Sequence, residues 1–320
     1  MKFDSLTLNR LKRLQLVAQQ IKRGAIKGDR RSSRRGQSIE FADYRDYVPG
    51  DDLRRLDWNI YARHERPFIK LMEDEEDLAV YVVLDGSASM DWGEGDENKL
   101  LFGKKLAAGL GVISLFTGDL LKVEIWGGEK SLTTEHTEST ENQKKQRKNS
   151  VNSVNSVVNQ SMGPMRGGAN LIRLLNAFDT VASAGEIDFE RQARQFTAVN
   201  KRPGLLIIIS DFLFPNGYEK GLKHLQAQGH EIILLHTLTE DERHPDLNGD
   251  LRLVDVETGN AQEVSLTRWM RERYVERLEA WQADLRAFAH QRGMRYFDLS
   301  TASEWDHFLL YELRKAGALA

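Results

Sequence analysis

The sequence predicts an α/β protein built on a doubly wound, mostly parallel sheet. Short apolar runs alternate with longer amphipathic stretches from residue 78 to residue 315. This alternation is typical of parallel strands that are connected by helices and covered by them on both faces. Two of the apolar runs are followed by an aspartate, Asp85 and Asp211. Because such sheets bind their ligands at the carboxyl ends of strands, these two residues are candidates for a site.

The predicted elements follow one another in a regular order. The apolar runs give strands at residues 78–84, 120–126, 204–210, 231–238 and 294–299. The amphipathic stretches give helices at residues 98–116, 170–181, 185–203, 215–228, 268–292 and 303–315. Ser303 is the predicted N-cap of the last helix. Residues 251–266 favour a hairpin directly before the long helix at 268–292.

Residues 1–76 differ from this pattern and are predicted to form an N-terminal segment in front of an α/β domain at 77–320. A leucine stripe predicts a helix over residues 4–23. A basic stretch follows at 22–35, and residues 37–70 are irregular and rich in Tyr, Trp, Arg and Asp. Inside the larger domain, residues 129–160 are polar and repetitive, which predicts a mobile insertion.

The composition argues against several classes of protein. The 320 residues carry 45 Lys and Arg against 48 Asp and Glu, a formal charge of −3, which gives no general attraction to nucleic acid or anionic membranes. The absence of cysteine excludes disulfides and thiolate metal sites. The charged N-terminus is unlike a signal peptide, and no 18 apolar residues run together. We therefore expect a cytoplasmic protein that does not insert into membranes.

The turn after the first strand of the larger domain, "LDGSASM", offers one carboxylate and two hydroxyls: Asp85, Ser87 and Ser89. Oxygen ligands of this kind suit a hard cation such as Mg²⁺. Asp211 would add a second carboxylate through water, and an incomplete shell would leave one position for an acidic group of a partner. The alternative is a structural turn in which these side chains bind backbone amides.

Two motifs together resemble a known family. "VVLDGSASM" followed by "ISDF" resembles the metal-ion-dependent adhesion site of the von Willebrand factor A fold. The block at residues 34–78 is similar to the signature of domain-of-unknown-function family 58. The core of that signature reads Tyr47, Gly50, Asp51, Asp52, Arg54, Asp57 and Trp58. The resemblance covers roughly residues 20–320 and implies a Rossmann-like von Willebrand factor A domain behind an N-terminal extension of helix and irregular or β segments.

The resemblance also implies a site and a partner. It places metal ligands, with Mg²⁺ as the expected ion, at Asp85, Ser87, Ser89 and Asp211. Ala169 stands where the pattern has a threonine, so one hydroxyl ligand is missing, and Asn170 is the candidate substitute. The implied function is a non-catalytic protein-binding module, an adaptor or chaperone-like partner of a MoxR-type AAA+ ATPase that acts on an unknown client protein.

Opposite charges lie at short spacing in the signature block and allow two interpretations. Arg–carboxylate pairs could hold the segment together, or the segment could be a docking surface for an ATPase or client. The candidate docking residues are Tyr47, Asp51, Asp52, Arg54, Asp57 and Trp58.

Two further functions stand as alternatives. Asp85 as a phosphoryl-accepting nucleophile would make the protein a metal-dependent phosphohydrolase, but Ser87 occupies the place of the second aspartate that such sites use. The basic segment 22–35 would suit nucleic acid, but it lacks interleaved aromatic residues and an acidic run follows at residues 73–77. We therefore expect neither enzymatic activity nor nucleic-acid binding.

Overall fold

The computed structural model describes residues 3–18, 39–74, 78–127, 160–246, 249–254 and 261–320. They form two compact units, one of Met1–Ala25 with Leu78–Ala320 and one of Ile26–Asp77. The N-terminal 25 residues thus belong with the larger unit, whereas the sequence analysis grouped them with residues 26–76. The predicted basic segment at 22–35 and all but the last residue of the predicted insertion at 129–160 lie outside the described residues.

The first helix, α1 (Ser5–Leu11), begins after Asp4, whose carboxylate accepts a hydrogen bond from the backbone N–H of Thr7. The helix is much shorter than the predicted one at 4–23. Leu16 instead forms an antiparallel bridge with Leu319. The prediction failed because part of the leucine stripe belongs to an extended segment, whose apolar side chains enter the same core as those of α1.

The described part of the smaller unit contains a hairpin and an α-helix. Strand β1 (Ile39–Asp46) pairs antiparallel with β2 (Phe68–Asp74), and α2 (Trp58–His64) lies between them in the chain. Asp57 caps α2 because its carboxylate accepts hydrogen bonds from the first amides of the helix. The segment 37–70 is therefore more regular than its sequence predicts.

In the larger unit, six of the described strands form one sheet. Its elements in chain order are β3 (Ala79–Asp85), α3 (Lys99–Thr117), β4 (Leu120–Trp126), β5 (Gln160–Met165), α4 (Leu171–Asp179), α5 (Phe189–Val199), β6 (Leu205–Ser210), α6 (Glu219–Ala227), β7 (Glu231–Leu238), α7 (Glu240–Arg243), β8 (Gly249–Val254), β9 (Ala261–Leu266), α8 (Arg268–Gln291) and β10 (Arg295–Ser300). The order across the sheet is β10-β7-β6-β3-β4-β5. Only β5, at the edge, is antiparallel to its neighbour. Strands β8 and β9 form the predicted hairpin apart from this sheet.

Helices cover both faces of the sheet. One face packs against α1, α3, α4 and the C-terminal helical segment, α9, which runs through Trp305–His307, Phe308–Glu312 and Leu313–Lys315. The other face packs against α5, α6 and α8. The central strands β3, β6 and β7 are buried along their whole length. The predicted doubly wound, mostly parallel α/β fold is confirmed.

Within the described part of the chain, α3 alone is long and apolar enough to cross a membrane by length and composition. Its most apolar window of 18 residues has a mean hydropathy of 1.5 and is 72% buried inside the protein. The apolar character of α3 is thus explained by its position in the core, where both its sides contact other elements.

Three predicted helix starts are wrong. Helix α5 begins at Phe189 rather than at residue 185. Helix α6 begins at Glu219 rather than at Pro215, because residues 211–218 form the loop that follows β6. The N-cap position of α9 is Glu304, and Ser303 lies one residue before it.

Candidate functional site

The order of the strands places the two predicted aspartates at the point where the direction of winding changes. From β3 the chain moves outward to β4 and β5, and it then returns to β6 on the other side of β3. Asp85 is the last residue of β3, and Asp211 directly follows β6. The crevice at such a switch point is the usual ligand site of open α/β sheets.

The Asp85 carboxylate is held by hydrogen bonds from the turn and from the neighbouring strand. Its Oδ1 accepts from the backbone N–H and the hydroxyl of Ser87, at 2.8 and 2.7 Å. Its Oδ2 accepts from the Ser210 hydroxyl at 2.5 Å. The Oγ atoms of Ser87 and Ser89 lie 3.0 Å apart. The structure thus brings Asp85, Ser87 and Ser89 together as predicted, and it adds Ser210, which the sequence analysis missed.

These groups lie below the protein surface. Asp85 is only 3% exposed, Ser87 and Asp211 are also buried, and Ser89 alone of the predicted ligands in this loop is partly exposed. The two carboxylates are therefore not open to an acidic group of a partner, as the predicted incomplete shell requires. Burial and, to a smaller extent, the charge of Asp211 raise the pKa of Asp85 to about 6, although hydrogen bonds from Ser210 and Ser87 act in the opposite direction. A carboxyl group perturbed in this way is typical of functional sites.

Asp211 is already paired with a cation from within the chain. Its Oδ2 accepts a hydrogen bond from Lys99 Nζ at 2.7 Å, and its Oδ1 accepts from the N–H of Leu213 at 3.1 Å. Lys99 Nζ also donates to Glu242 Oε1 at 2.6 Å. The Lys99 side chain is 0% exposed.

Sequence analysis missed Lys99 and Glu242. Asp211 and Glu242 lie 112 and 143 residues from Lys99 along the chain, so no local pattern connects the three. The sequence contained one indication that Lys99 is unusual. Lys99 is the first residue of α3, and the helix dipole disfavours a cation at that end.

The loop after β6 has a strained backbone. Phe212 has φ of 55°, which is unusual for a bulky residue. Its N–H donates to the Ser210 hydroxyl at 2.8 Å, and its ring packs edge-on against Tyr218. Backbone outliers that the surrounding structure maintains concentrate at functional sites.

Two exposed apolar side chains accompany the buried site. Leu213, which follows Phe212, is 45% exposed, and Trp92, in the loop after β3, is 47% exposed. The carbonyl of Trp92 accepts the backbone N–H of Lys99 at 2.9 Å. Through Lys99 and Asp211, the loops that carry these two side chains are fixed to one ion pair.

The residues do not fit the divalent cation that the resemblance implies. Both carboxylate oxygens of Asp85 and of Asp211 already accept hydrogen bonds, and Asp211 is neutralised by Lys99. Asn170 follows Met165, which pairs with Leu121 near the start of β4, whereas Asp85 pairs with Trp126 at the other end of that strand, so Asn170 is not part of the Asp85 cluster. Ala169 has no ligand atom in its side chain. The described residues contain no group of three or more His, Asp or Glu suited to a metal.

The predicted docking residues of the smaller unit fall into two groups. The three aspartates act within that unit: Asp51 pairs with Arg45 at 2.9 Å, Asp52 caps the turn at Leu53–Arg55, and Asp57 caps α2. Of the six candidates, Asp52, Arg54 and Trp58 are exposed, Tyr47 and Asp51 are half-buried, and Asp57 is buried.

The fold and the site define a doubly wound α/β protein with a buried charged cluster at its switch point. Residues 43–284 match the family described as "Protein of unknown function DUF58". The chain belongs to this family, as the signature block predicts.

Related sequences and solved structures were also compared with this chain. The chain is 28% identical over 313 residues to the uncharacterized proteins Rv1480 of Mycobacterium tuberculosis and Mb1516 of Mycobacterium bovis, covering 97% of this chain and 90% of theirs. It is 12% identical to the conserved hypothetical protein BatB from Bacteroides thetaiotaomicron, with a TM-score of 0.41 over 75% of this chain and 98% of that one. An aerotolerance-related membrane protein from Bacteroides fragilis is 14% identical, with a TM-score of 0.38 over 74% and 97%.

Proposed function

We propose that this protein is a cytoplasmic, non-catalytic protein-binding module with a von Willebrand factor A-like domain. Its partner would be a MoxR-type AAA+ ATPase, and together they would act on a client protein as an adaptor or chaperone-like system. The sequence resemblance supports the choice of partner. The observation that carries the proposal is the buried charged cluster at the switch point, flanked by the exposed side chains of Trp92 and Leu213.

The accessibility of the site favours binding over catalysis. A catalytic carboxylate must come within hydrogen-bond reach of its substrate, whereas Asp85 and Asp211 are buried. The groups that a partner can touch at this edge include an indole and a leucine side chain. Tryptophan is prominent among the residues that dominate protein interfaces.

The charged cluster has a clear role in this scheme. The ion pair and the hydrogen bonds of Asp85 fix the loops after β3 and β6, so Trp92 and Leu213 are presented on an ordered surface. Such preorganisation lowers the entropy lost on binding and therefore strengthens it.

The proposal is tested by measuring the affinity of the full chain for a MoxR-type ATPase from the same organism. We expect Trp92→Ser and Leu213→Ser each to weaken binding roughly tenfold or more, as at an interface hot spot. The matched controls are Trp269→Ser, at a tryptophan that is 67% exposed on α8, and Ile172→Ser, at an exposed aliphatic residue on α4. Both controls should bind as the wild type does.

Two outcomes would contradict the proposal. One is that no MoxR-type ATPase binds the wild-type chain. The other is that Trp92→Ser and Leu213→Ser bind as tightly as the controls. A separate variant, Trp58→Ser, tests whether the exposed tryptophan of the smaller unit contributes to the same binding.

A further inference from the structure

We infer that Lys99 is the resident cation of the switch-point site, and that its ammonium group performs without metal the charge-neutralising role that a divalent ion would otherwise have. The inference rests on the proposed function only where it assigns the site to partner binding.

The ammonium group of Lys99 lies between carboxylates that follow two neighbouring strands of the sheet. Lys99 follows the β3 loop, Asp211 follows β6, and Glu242 lies in α7 directly after β7. These three strands are neighbours in the sheet. Lys99 Nζ lies 2.7 Å from Asp211 Oδ2 and 2.6 Å from Glu242 Oε1, so one positive charge joins the carboxyl ends of three adjacent strands.

All four carboxylate oxygens of Asp211 and Glu242 already accept hydrogen bonds. The second oxygen of Asp211 accepts the N–H of Leu213, and Glu242 Oε2 accepts the N–H of Thr239 at 2.9 Å, completing a capping box. A divalent ion would have to displace these donors and would be repelled by the ammonium group.

Lys99 keeps its charge although it is buried. Burial lowers the pKa of Lys99, but the charges of Asp211 and Glu242 and their hydrogen bonds outweigh burial and leave the pKa above its ordinary value. An unpaired buried ammonium would be strongly unfavourable, so the two carboxylates explain why a lysine is tolerated there. The helix dipole does not explain the presence of a lysine, because Lys99 lies at the N-terminal end of α3, where the dipole disfavours a cation.

The test measures binding of Mn²⁺, a spectroscopic substitute for Mg²⁺, to the full-length chain by electron paramagnetic resonance. We expect the wild type to hold no stoichiometric ion at millimolar Mn²⁺. Lys99→Ala removes the ammonium group and leaves two carboxylates facing the vacated space, so it should bind Mn²⁺ at least roughly tenfold more tightly than the wild type.

A matched control is available on the same helix. Lys105 pairs with Asp96 at 2.8 Å, but Asp96 is exposed, so Lys105→Ala should behave as the wild type. Removing one partner of a buried ion pair is strongly destabilising, and we expect Lys99→Ala to lower the Tm by roughly 10 °C. Millimolar Mn²⁺ should restore part of this loss in Lys99→Ala and leave the Tm of the wild type and of Lys105→Ala unchanged.

The inference is overturned if the wild type binds one Mn²⁺ and loses it on Asp85→Asn, or if folded Lys99→Ala gains no affinity. Should Lys99→Ala fail to fold, the wild-type titration still decides, and Lys99→Arg, which keeps the charge, should fold and bind no ion. The measurement uses the chain alone. Failure to bind an ATPase would therefore refute the proposed function without affecting this result.

Discussion

Asp85 differs from the other carboxylates of the site in how its charge is accommodated. Asp211 and Glu242 share an ammonium group, whereas the hydrogen bonds to Asp85 come from two hydroxyls and one amide. Neutral donors compensate a buried negative charge less well than a cation does. The raised pKa of Asp85 follows from this difference together with burial and the charge of Asp211.

This difference predicts that Asp85→Asn stabilises the protein in a pH-dependent way. The folded chain holds the Asp85 proton more tightly than the unfolded chain, so stability falls as pH rises from the ordinary pKa of 3.8 to about 6. Above pH 6, the raised pKa of Asp85 lowers the free energy of unfolding by about 3 kcal/mol, relative to a carboxyl group with its ordinary pKa. The asparagine keeps the bonds from Ser87 and removes the charge. Urea unfolding should therefore find the variant more stable by up to about 3 kcal/mol near pH 8, with the advantage gone near pH 4.

The matched control is Asp96→Asn, which removes the same charge from an exposed side chain. Its effect should be small at both pH values, because exposed ion pairs contribute little. A destabilised Asp85→Asn at every pH would show that the carboxylate form of Asp85 is favoured in the folded state.

At the level of the site, the sequence predicts what is close in the chain. Asp85, Ser87 and Ser89 meet because they are spaced by two residues in one turn, and Asp211 joins them because parallel strands end at the same edge. Lys99 and Glu242 could not be predicted, because their contacts depend on which loops the completed sheet brings together.

The secondary-structure elements, too, were predicted where the pattern is local and missed where distant contacts decide the structure. The central strands were predicted to within one residue or so, since each is a buried apolar run whose pattern is local. The start of α6 was wrong because the loop with Phe212 adopts its conformation through contacts with Ser210 and Tyr218. Strand β5 was missed because its pairing with β4, rather than its composition, defines it.

Close packing between neighbouring strands makes a second prediction. Gly204 immediately precedes β6, and a Cβ atom there would lie 2.3 Å from the backbone oxygen of Ala79 at the start of β3. Because that oxygen belongs to the backbone of a buried strand, it cannot move aside as a side chain can. We expect Gly204→Ala to destabilise the protein by about 3 kcal/mol in urea unfolding.

Gly103→Ala in α3 is the comparison for this substitution. Its added Cβ would lie 2.7 Å from Leu84 Cδ1, the end of a side chain that can rotate, and alanine favours the helix by about 1 kcal/mol. The net change should be close to zero. Equal losses at both positions would show that the backbone contact at Gly204 has no special importance.

For the molecule as a whole, the pairing of the two ends of the described chain is the contact with the greatest separation in sequence. The backbone groups of Gln15 and Ala320 exchange two hydrogen bonds, and Val17 donates to Ala318. Leu16 and Leu319 are buried in the core that also contains α1. This explains why the N-terminal residues belong to the larger unit although more than fifty residues of sequence separate them from β3.

The pairing of the ends predicts the effect of shortening the chain. A variant that ends at Ala316 loses the buried side chain of Leu319 and the backbone partners of Gln15 and Val17, so it should be about 3 kcal/mol less stable. Hydrogen exchange should show the amides of Gln15 and Val17 opening much faster, while those of the central strands follow only the global change. Leu6→Ser, at an exposed position of α1, should leave both amides protected. If these amides stayed equally protected in the shortened chain, the N-terminal segment would be held by α1 and its apolar contacts rather than by its pairing with the C-terminus.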